Sequence, residues 1–319
     1  MSSSPILHLR DVWDRIRGNA LSVDVYTFIV VVLYSIATLI FYPRIPLATS
    51  ILFQNALIVS VVGASILLTS MTGLQLFRFV RYFYIVPVIY MMYNQTNLIV
   101  HAVYPTTLYD GMLISADRFL FGVDPTVWLG QYAVPAITEY LQVCYFLFYL
   151  LPVLQAIELW RRGDLEKLAS FATAMAFCYF ISYLLYFAMP AIGPRFTLHA
   201  YESIGTELPG LLLTDILRGL VDAGGGIPPG ALEPARWVNR DCMPSGHTML
   251  TITNIILAFR NRSRLRWLFV LIGGSLVFST VYLRYHYVVD VLVGAALVAV
   301  CLPLERPVDR WIKTRLQIT

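Results

Sequence analysis

The sequence predicts an all-α, polytopic transmembrane helix bundle with about eight spans. Of its 319 residues, 58% are hydrophobic and only 13% are charged, whereas a soluble domain carries about 25% charged residues. The hydrophobic residues also fall in runs close to the roughly 20 residues that a helix needs to cross a bilayer. This pattern leaves no room for a separate soluble domain.

Eight apolar runs are the candidate spans, and the sixth and seventh are short. They cover residues 24–42, 52–73, 82–103, 134–157, 167–189, 245–259, 266–283 and 286–304. No small-residue cleavage site follows the first run, so we interpret it as a retained anchor rather than a signal peptide. We divide the chain into N-terminal spans with an interfacial segment (1–133), a transmembrane core that holds the motifs below (134–304) and a cytoplasmic tail (305–319).

Charge predicts the orientation in the membrane. With eight spans, both termini lie on one side, and 16 of the 23 Lys and Arg residues fall on that side. Cytoplasmic loops carry an excess of Lys and Arg, so we expect cytoplasmic termini in a plasma, inner or endomembrane. The basic residues form short clusters between apolar runs rather than one stripe, which argues against a nucleic-acid partner.

Two of the segments between predicted spans, on the side of the membrane opposite the termini, are long. Residues 104–133 contain "LISADRFLFGVDP", which predicts a helix lying along the membrane interface. We expect its carboxylates, Asp110, Asp117 and Asp124, to occupy a solvated face, and Glu139 to be similarly exposed. The second segment, residues 190–243, is rich in Gly and Pro and predicts no long regular element. Cys242 lies there without an obvious disulfide partner, and we interpret it as a small packing residue.

Three patches open or follow spans on the outer side. In "YLRYHYVVDV", His286 and Asp290 are four residues apart and share a helix face. The carboxylate can accept a hydrogen bond from one imidazole nitrogen, which fixes the tautomer and makes the other nitrogen a better nucleophile. The alternative is a structural His–Asp pair, although an acid within a span is costly and tends to be functional.

The second patch is "MPSGHT". Pro244 suits the first position of a helix, so Ser245 and Gly246 would present free N–H groups at the positive helix end, which is an anion site. Glycine would let a phosphate approach the backbone, and His247 could protonate a leaving oxygen. An ordinary capped helix start is the alternative.

The third patch, "MPAIGPRF", supplies Arg195, whose planar fork suits a phosphate, or alternatively a lipid headgroup at the surface. Arg240 and Arg284 add positive charge nearby. Together the three patches predict a phosphoryl-transfer site that needs no metal and no other cofactor. Zinc on His247, His286 and Asp290 is a weaker alternative, because no tight metal-ligand spacing occurs.

"PSGH" followed by "HYVVDV" resembles the type 2 phosphatidic acid phosphatase superfamily of membrane lipid phosphatases and phosphotransferases, over roughly residues 185–300. The resemblance implies the core fold of that superfamily. It implies that His286 attacks phosphorus to form a phosphohistidine, that His247 is the acid for the leaving group, and that Asp290 orients His286.

The sequence departs from the superfamily signatures at two places. Ala188 stands at the position of the first-signature lysine, and Phe196 replaces the proline after the arginine. The third-signature arginine would fall at Thr280, and either Arg284 or Arg240 could supply its charge. With "LISADRFLFGVDP", this loosened pattern resembles the branch that includes inositol phosphorylceramide synthases, and "DCMPSGHT" resembles sphingomyelin synthases.

We therefore expect an enzyme with membrane lipids as substrate and acceptor. The leading hypothesis is a transferase of phospho-headgroups, like sphingolipid or phosphoinositol lipid synthases. The alternative is a phosphatase of phosphatidic acid or polyprenyl phosphate, and the non-enzymatic alternative is a lipid transporter.

A polar cluster in the third span, "MMYNQTNLIVHAVY", suggests a second site. Unpaired amides in hydrocarbon are costly, so these side chains should face the bundle. We hypothesise that Asn94, Asn97 and His101 hold a polyol or amide headgroup. The alternative is hydrogen bonding between helices.

Overall fold

The computed structural model describes residues 14–318, and this part of the chain is helical without any strand. The helices of the first part are α1 (Ser22–Ile40), α2 (Ala48–Thr72), α3 (Gln75–Phe83), α4 (Ile85–Val103), α5 (Asp110–Phe121) and α6 (Pro125–Gly130). Those of the second part are α7 (Pro135–Phe146), α8 (Leu150–Arg161), α9 (Leu165–Leu185), α10 (Thr214–Gly224), α11 (Gly246–Arg260), α12 (Arg266–Tyr282) and α13 (Val288–Leu316).

Six helices of the described chain are long and apolar enough to cross a membrane: α1, α2, α3 with α4, α7 with α8, α9 and α13. The two remaining predicted runs form α11 and α12, which have only 15 and 17 residues. At about 1.5 Å per residue, α11 is roughly 23 Å long, whereas the hydrocarbon core is roughly 30 Å thick. The all-helical membrane fold is confirmed, and the number of eight spans stays a prediction.

Helix α11 lies at the centre of the second part and packs against α9, α12 and α13. Its approach to α13 is close, because a Cβ added at Gly294 would lie 2.5 Å from the carbonyl oxygen of Ser245. The Ser245 N–H donates to the main-chain oxygen of Asp290 at 3.1 Å. The first turns of α11 and α13 are thereby held side by side.

The interfacial segment forms α5, but the solvated face that we expected is wrong for two of its carboxylates. Asp117 accepts the N–H groups of Val288 and Val289 at 2.9 and 2.8 Å. Asp110 accepts the N–H of Gly193 at 2.8 Å and the hydroxyl of Tyr287 at 2.9 Å. Both are buried. Asp117 is needed there because the first N–H groups of a helix lack internal partners.

Glu139 in α7 was also expected to be solvated, and it has a similar capping role. Its carboxylate accepts the N–H groups of Leu213 and Thr214, at the start of α10, at 2.6 and 3.0 Å. The amphipathic helix α10 exposes Ile216 and Leu220, which fits a position along the membrane interface. Asp124 differs, since it pairs with the exposed Arg118 at 2.8 Å.

Replacing Asp117 with Ala should destabilise the fold by removing the acceptor for two N–H groups at the start of α13. Hydrogen bonds to charged groups contribute about 1.5–3 kcal/mol each, so we expect a loss of about 2 kcal/mol in the free energy of unfolding. Thermal unfolding in detergent measures the change. Asp215→Ala is the control, because that side chain is 91% exposed, and an equal loss in both variants would contradict the capping role.

Candidate active site

A cavity of about 800 Å³ opens at the C-terminal end of α9 and at the N-terminal ends of α11 and α13. Tyrosine is the most frequent residue in its walls, and the tyrosines that line it are Tyr90, Tyr93, Tyr145, Tyr149, Tyr179, Tyr183, Tyr186 and Tyr285. The polar groups that line it are Arg195, Asp222, Asn239, Asp241, His247 and His286. An apolar pocket with a few convergent polar groups is the usual form of a small-molecule site.

The imidazole of His286 is held in one orientation. Its Nδ1 lies 2.8 Å from the carbonyl oxygen of Cys242, and because a carbonyl only accepts, Nδ1 carries the proton. The other nitrogen, Nε2, keeps its lone pair and faces Nδ1 of His247 at 3.4 Å. The structure therefore brings together the two histidines that the sequence singled out, and the lone pair of His286 Nε2 accepts the contact from His247 Nδ1.

Asp290 orients His286 less directly than we expected. Its Oδ2 is 3.5 Å from His286 Nδ1, but it accepts shorter bonds from the Cys242 thiol at 2.8 Å and from the Tyr287 N–H at 2.9 Å. The Cys242 carbonyl is thus the main partner of the imidazole. The sequence did not predict this acceptor, because every residue has a main-chain carbonyl and no residue type indicates which one is used.

His247 lies in the first turn of α11 between two aromatic rings. The ring centroids of Tyr145 and Phe148 are 4.6 and 4.4 Å from that of the imidazole. This packing holds the imidazole at the cavity wall, where it can meet the leaving oxygen of a substrate.

The start of α11 differs from our expectation. The helix begins at Gly246, so Pro244 lies before it, and Ser245 is the N-cap whose side chain accepts the N–H of Thr248 at 3.3 Å. The N–H of Ser245 bonds to α13 and is not free for a phosphate. A Cβ at Gly246 would lie 3.0 Å from Ser182 Oγ, so this glycine allows packing against α9.

Arg195 lines the cavity after a sharp turn at Gly193. Its NH1 donates to Asp222 at 2.8 Å, and its guanidinium lies 4.9 Å from the ring centroid of Tyr285. Its Nε–H is buried and has no acceptor within the described chain. A phosphate oxygen in the cavity could supply that missing acceptor.

The structure does not bring the other two arginines to the cavity. Arg284 has a left-handed backbone with φ of 70°, and its guanidinium contacts Glu207 at 2.5 Å. Arg240 donates to the carbonyl oxygen of Pro105 at 3.0 Å. Neither is among the cavity-lining residues of the described chain, and their predicted phosphate contacts stay a prediction.

The polar cluster of the third span also lies away from the cavity. Asn97 donates to the carbonyl oxygen of Tyr93 at 3.0 Å, and His101 Nδ1 bonds to the carbonyl oxygen of Asn97 at 2.8 Å. Within residues 14–318, neither these two nor Asn94 lines the cavity. The hydrogen bonds of Asn97 and His101 run along α4, and the headgroup site on Asn94, Asn97 and His101 stays a prediction.

Two cavity acids escaped sequence reasoning. Asp222 partners Arg195, and Asp241 accepts the hydroxyl of Tyr93 at 2.7 Å. The only feature of the sequence that could have indicated a role for Asp241 is its position directly before Cys242, at the start of the motif "DCMPSGHT". Asp241 lines the cavity, and the next residue, Cys242, is held by its N–H bond to the carbonyl oxygen of Ala191 at 3.1 Å.

Cys242, His286 and Asp290 could also be considered as metal ligands. One ligand atom from each lies within 4.8 Å of the others, and a thiol, an imidazole and a carboxylate suit zinc. A metal on His286 Nδ1 would have to replace the hydrogen bond to the Cys242 carbonyl. A site without a metal stays our prediction.

Gly193→Ala should disrupt the turn that positions Arg195. Gly193 has φ of 91°, and an added Cβ would lie 2.7 Å from the carbonyl oxygen of Tyr285. We expect a loss of about 2 kcal/mol in the free energy of unfolding, measured by thermal unfolding. Gly219→Ala has open space at its Cβ and should cause no loss; equal losses would show that the close approach is unimportant.

Comparison with known proteins adds family evidence to this geometry. A family model described as the PAP2 superfamily matches residues 111–304, more than half of the chain. The match includes Arg195, His247, His286 and Asp290. No curated protein and no solved structure matches the chain. The narrower resemblance to inositol phosphorylceramide synthases stays a prediction, but the chain belongs to the PAP2 superfamily.

Proposed function

We propose that the protein is an integral-membrane enzyme that transfers a phosphoryl or phospho-headgroup group from a lipid through a phosphohistidine on His286. The observation that carries the proposal is the facing pair of imidazoles. His286 Nε2 keeps its lone pair because Nδ1 is bonded to a carbonyl, and His247 lies 3.4 Å away. Membership in a superfamily of phosphatases and phosphotransferases supports the same chemistry.

The first step forms a bond between His286 Nε2 and phosphorus and breaks the bond from phosphorus to the leaving oxygen. His247, protonated at the start, gives its proton to that oxygen, which leaves as an alcohol. The charge on the equatorial oxygens is stabilised by the guanidinium of Arg195. These groups all line one cavity, and the proposed mechanism places a single phosphate among them.

The second step resolves the phosphohistidine. The oxygen of water or of an acceptor hydroxyl bonds to phosphorus, its proton passes to neutral His247, and the nitrogen–phosphorus bond breaks. Both histidines then return to their starting states. We favour a lipid hydroxyl as acceptor, which makes the enzyme a phospho-headgroup transferase of the sphingolipid or phosphoinositol synthase kind.

A lipid phosphate phosphatase is the alternative, since water would complete the same cycle. The sequence resemblance to transferases, and the lack of the third-signature arginine, favour transfer. A lipid mixture distinguishes the two, because hydrolysis releases free phosphate and transfer produces a new phospholipid.

A lipid substrate fits the shape of the cavity. Several of its lining residues are also exposed on the apolar outer surface of the bundle, among them Tyr90 in α4 (52%), Phe146 in α7 (46%) and Leu150 in α8 (46%). These helices are candidate spans. The cavity therefore has a side wall where acyl chains can enter from the bilayer.

The charge distribution of the loops supports cytoplasmic termini and an active site on the outer, periplasmic or lumenal face. In this orientation the outer leaflet supplies the substrate, in a plasma, inner or endomembrane.

A trapping experiment tests the proposed mechanism. Incubation with lipids labelled in the phosphate should give a protein adduct that is labile in acid and stable in base. His286→Ala should lose the adduct completely, because the attacking nitrogen is gone. His247→Asn should lower the rate of its formation by about 100-fold or more, which is typical for loss of a general acid.

His101→Ala is the matched control, because this histidine lies outside the cavity, and it should retain the adduct. Binding of lipid phosphates with no adduct and no turnover would instead identify a lipid transporter.

A further inference from the structure

The cavity contains two carboxylates with different electrostatic surroundings. Asp222 is neutralised by Arg195 at 2.8 Å and accepts the hydroxyl of Tyr201 at 2.7 Å. Asp241 forms no ion pair with any Lys or Arg within residues 14–318. One carboxylate that lines the cavity thus lacks a basic partner.

The hydrogen bonds of Asp241 leave it facing the cavity as an acceptor. The Tyr93 hydroxyl donates to its Oδ2 at 2.7 Å, and that hydroxyl in turn accepts from the Asn239 amide at 3.0 Å. The Tyr93 hydroxyl proton is already donated to Asp241. Asp241 and Tyr93 therefore offer a ligand the negative charge of the carboxylate rather than a hydrogen-bond donor.

Burial makes this charge expensive. Burial raises the pKa of Asp241, and the hydrogen bond from Tyr93 and the nearby His286 oppose that rise. A buried charge without a partner is costly, and a positively charged ligand would compensate it.

The surrounding rings favour the same ligand. Tyr93 donates its hydroxyl to Asp241, and Tyr149 and Tyr186 line the same cavity. The face of an aromatic ring attracts an ammonium group, by about 0.5–2 kcal/mol. A carboxylate among tyrosine rings is therefore suited to an ammonium ion.

The position of Asp241 relates this charge to the reacting phosphate. It directly precedes Cys242, whose carbonyl holds His286, and it lines the same cavity as Arg195. In the part of the chain that the structure describes, the cavity so presents the unpartnered Nε–H of Arg195, which suits a phosphate oxygen, and a carboxylate without a Lys or Arg partner, which suits an ammonium group. These are the two charged groups of a zwitterionic headgroup.

We propose that Asp241, with Tyr93 and Asn239, forms a subsite for a headgroup that carries an ammonium group, such as phosphocholine or phosphoethanolamine. The proposal rests on the proposed function for the position of the phosphate beside His286. A neutral polyol headgroup would leave the charge of Asp241 uncompensated, and a phosphate monoester would add a second negative charge.

Binding to the full-length His286→Ala variant in detergent tests the subsite without chemistry. The probes are short-chain phosphatidylcholine and phosphatidylglycerol, which differ in headgroup charge. We expect the choline lipid to bind about tenfold more tightly. Adding Asp241→Asn should weaken choline-lipid binding by about tenfold and glycerol-lipid binding by less than about threefold.

Asp215→Asn is the matched control, since it removes a carboxylate that is 91% exposed, and it should change neither affinity. Equal weakening of both lipids by Asp241→Asn, or tighter binding of the glycerol lipid by the parent variant, would overturn the subsite.

If Asp241→Asn does not fold, a competition experiment on the His286→Ala variant, in which Asp241 is intact, tests the same subsite. Tetramethylammonium chloride should displace the choline lipid more strongly than sodium chloride at equal ionic strength, and equal displacement would overturn the proposal. Because the readout is binding, headgroup selectivity can persist when no phosphohistidine is trapped. In that outcome the subsite is supported and the proposed function fails. If a phosphohistidine is trapped but binding shows no headgroup selectivity, the proposed function is supported and the subsite fails.

Discussion

The hydrogen bond from His286 to the carbonyl oxygen of Cys242 is the interaction on which the candidate site depends. It fixes the tautomer of the imidazole and turns Nε2 toward His247. The acceptor belongs to the main chain, so its position is set by the path of residues 240–245. That path is fixed at both ends, by the bonds from Cys242 to Ala191 and from Ser245 to Asp290.

Buried carboxylates hold together the helix ends around the cavity. Asp117 and Asp110 connect α5 to the start of α13 and to the turn at Gly193, and Asp290 connects α13 to the segment before α11. In a bilayer the apolar surfaces of helices gain little by leaving lipid, so packing and polar contacts must fix their arrangement. The ionic and hydrogen-bonded contacts cluster where the helices begin, which is where unpaired N–H groups need acceptors.

The sequence predicted the features that arise from local pattern. Apolar runs identified the helices, because a membrane span imposes that pattern. The spacing of His286 and Asp290 predicted their proximity, but the shared helix face is wrong, since His286 lies before α13, which begins at Val288. Contacts between distant loops could not be predicted this way. The left-handed backbone of Arg284 aims its side chain at Glu207, and the main-chain partner of His286 is independent of residue type.

The pairing of Asp241 with Tyr93, across 148 positions of the chain, was invisible for the same reason. Burial of Asp117 was missed because a carboxylate on an amphipathic segment has the same pattern whether it meets water or the end of another helix. The branch of the superfamily also depends on such contacts, so motif spacing alone leaves several lipid chemistries open.

The shortness of α11 has a consequence for the supply of water. If Arg260 at its far end reaches the lipid headgroups, a helix of roughly 23 Å ends about 7 Å inside a hydrocarbon layer of roughly 30 Å. His247 would then work in a recess beneath the opposite headgroups, walled by aromatic rings. Water is scarce at that depth, whereas lipids that bear hydroxyl groups diffuse past it in the plane of the membrane.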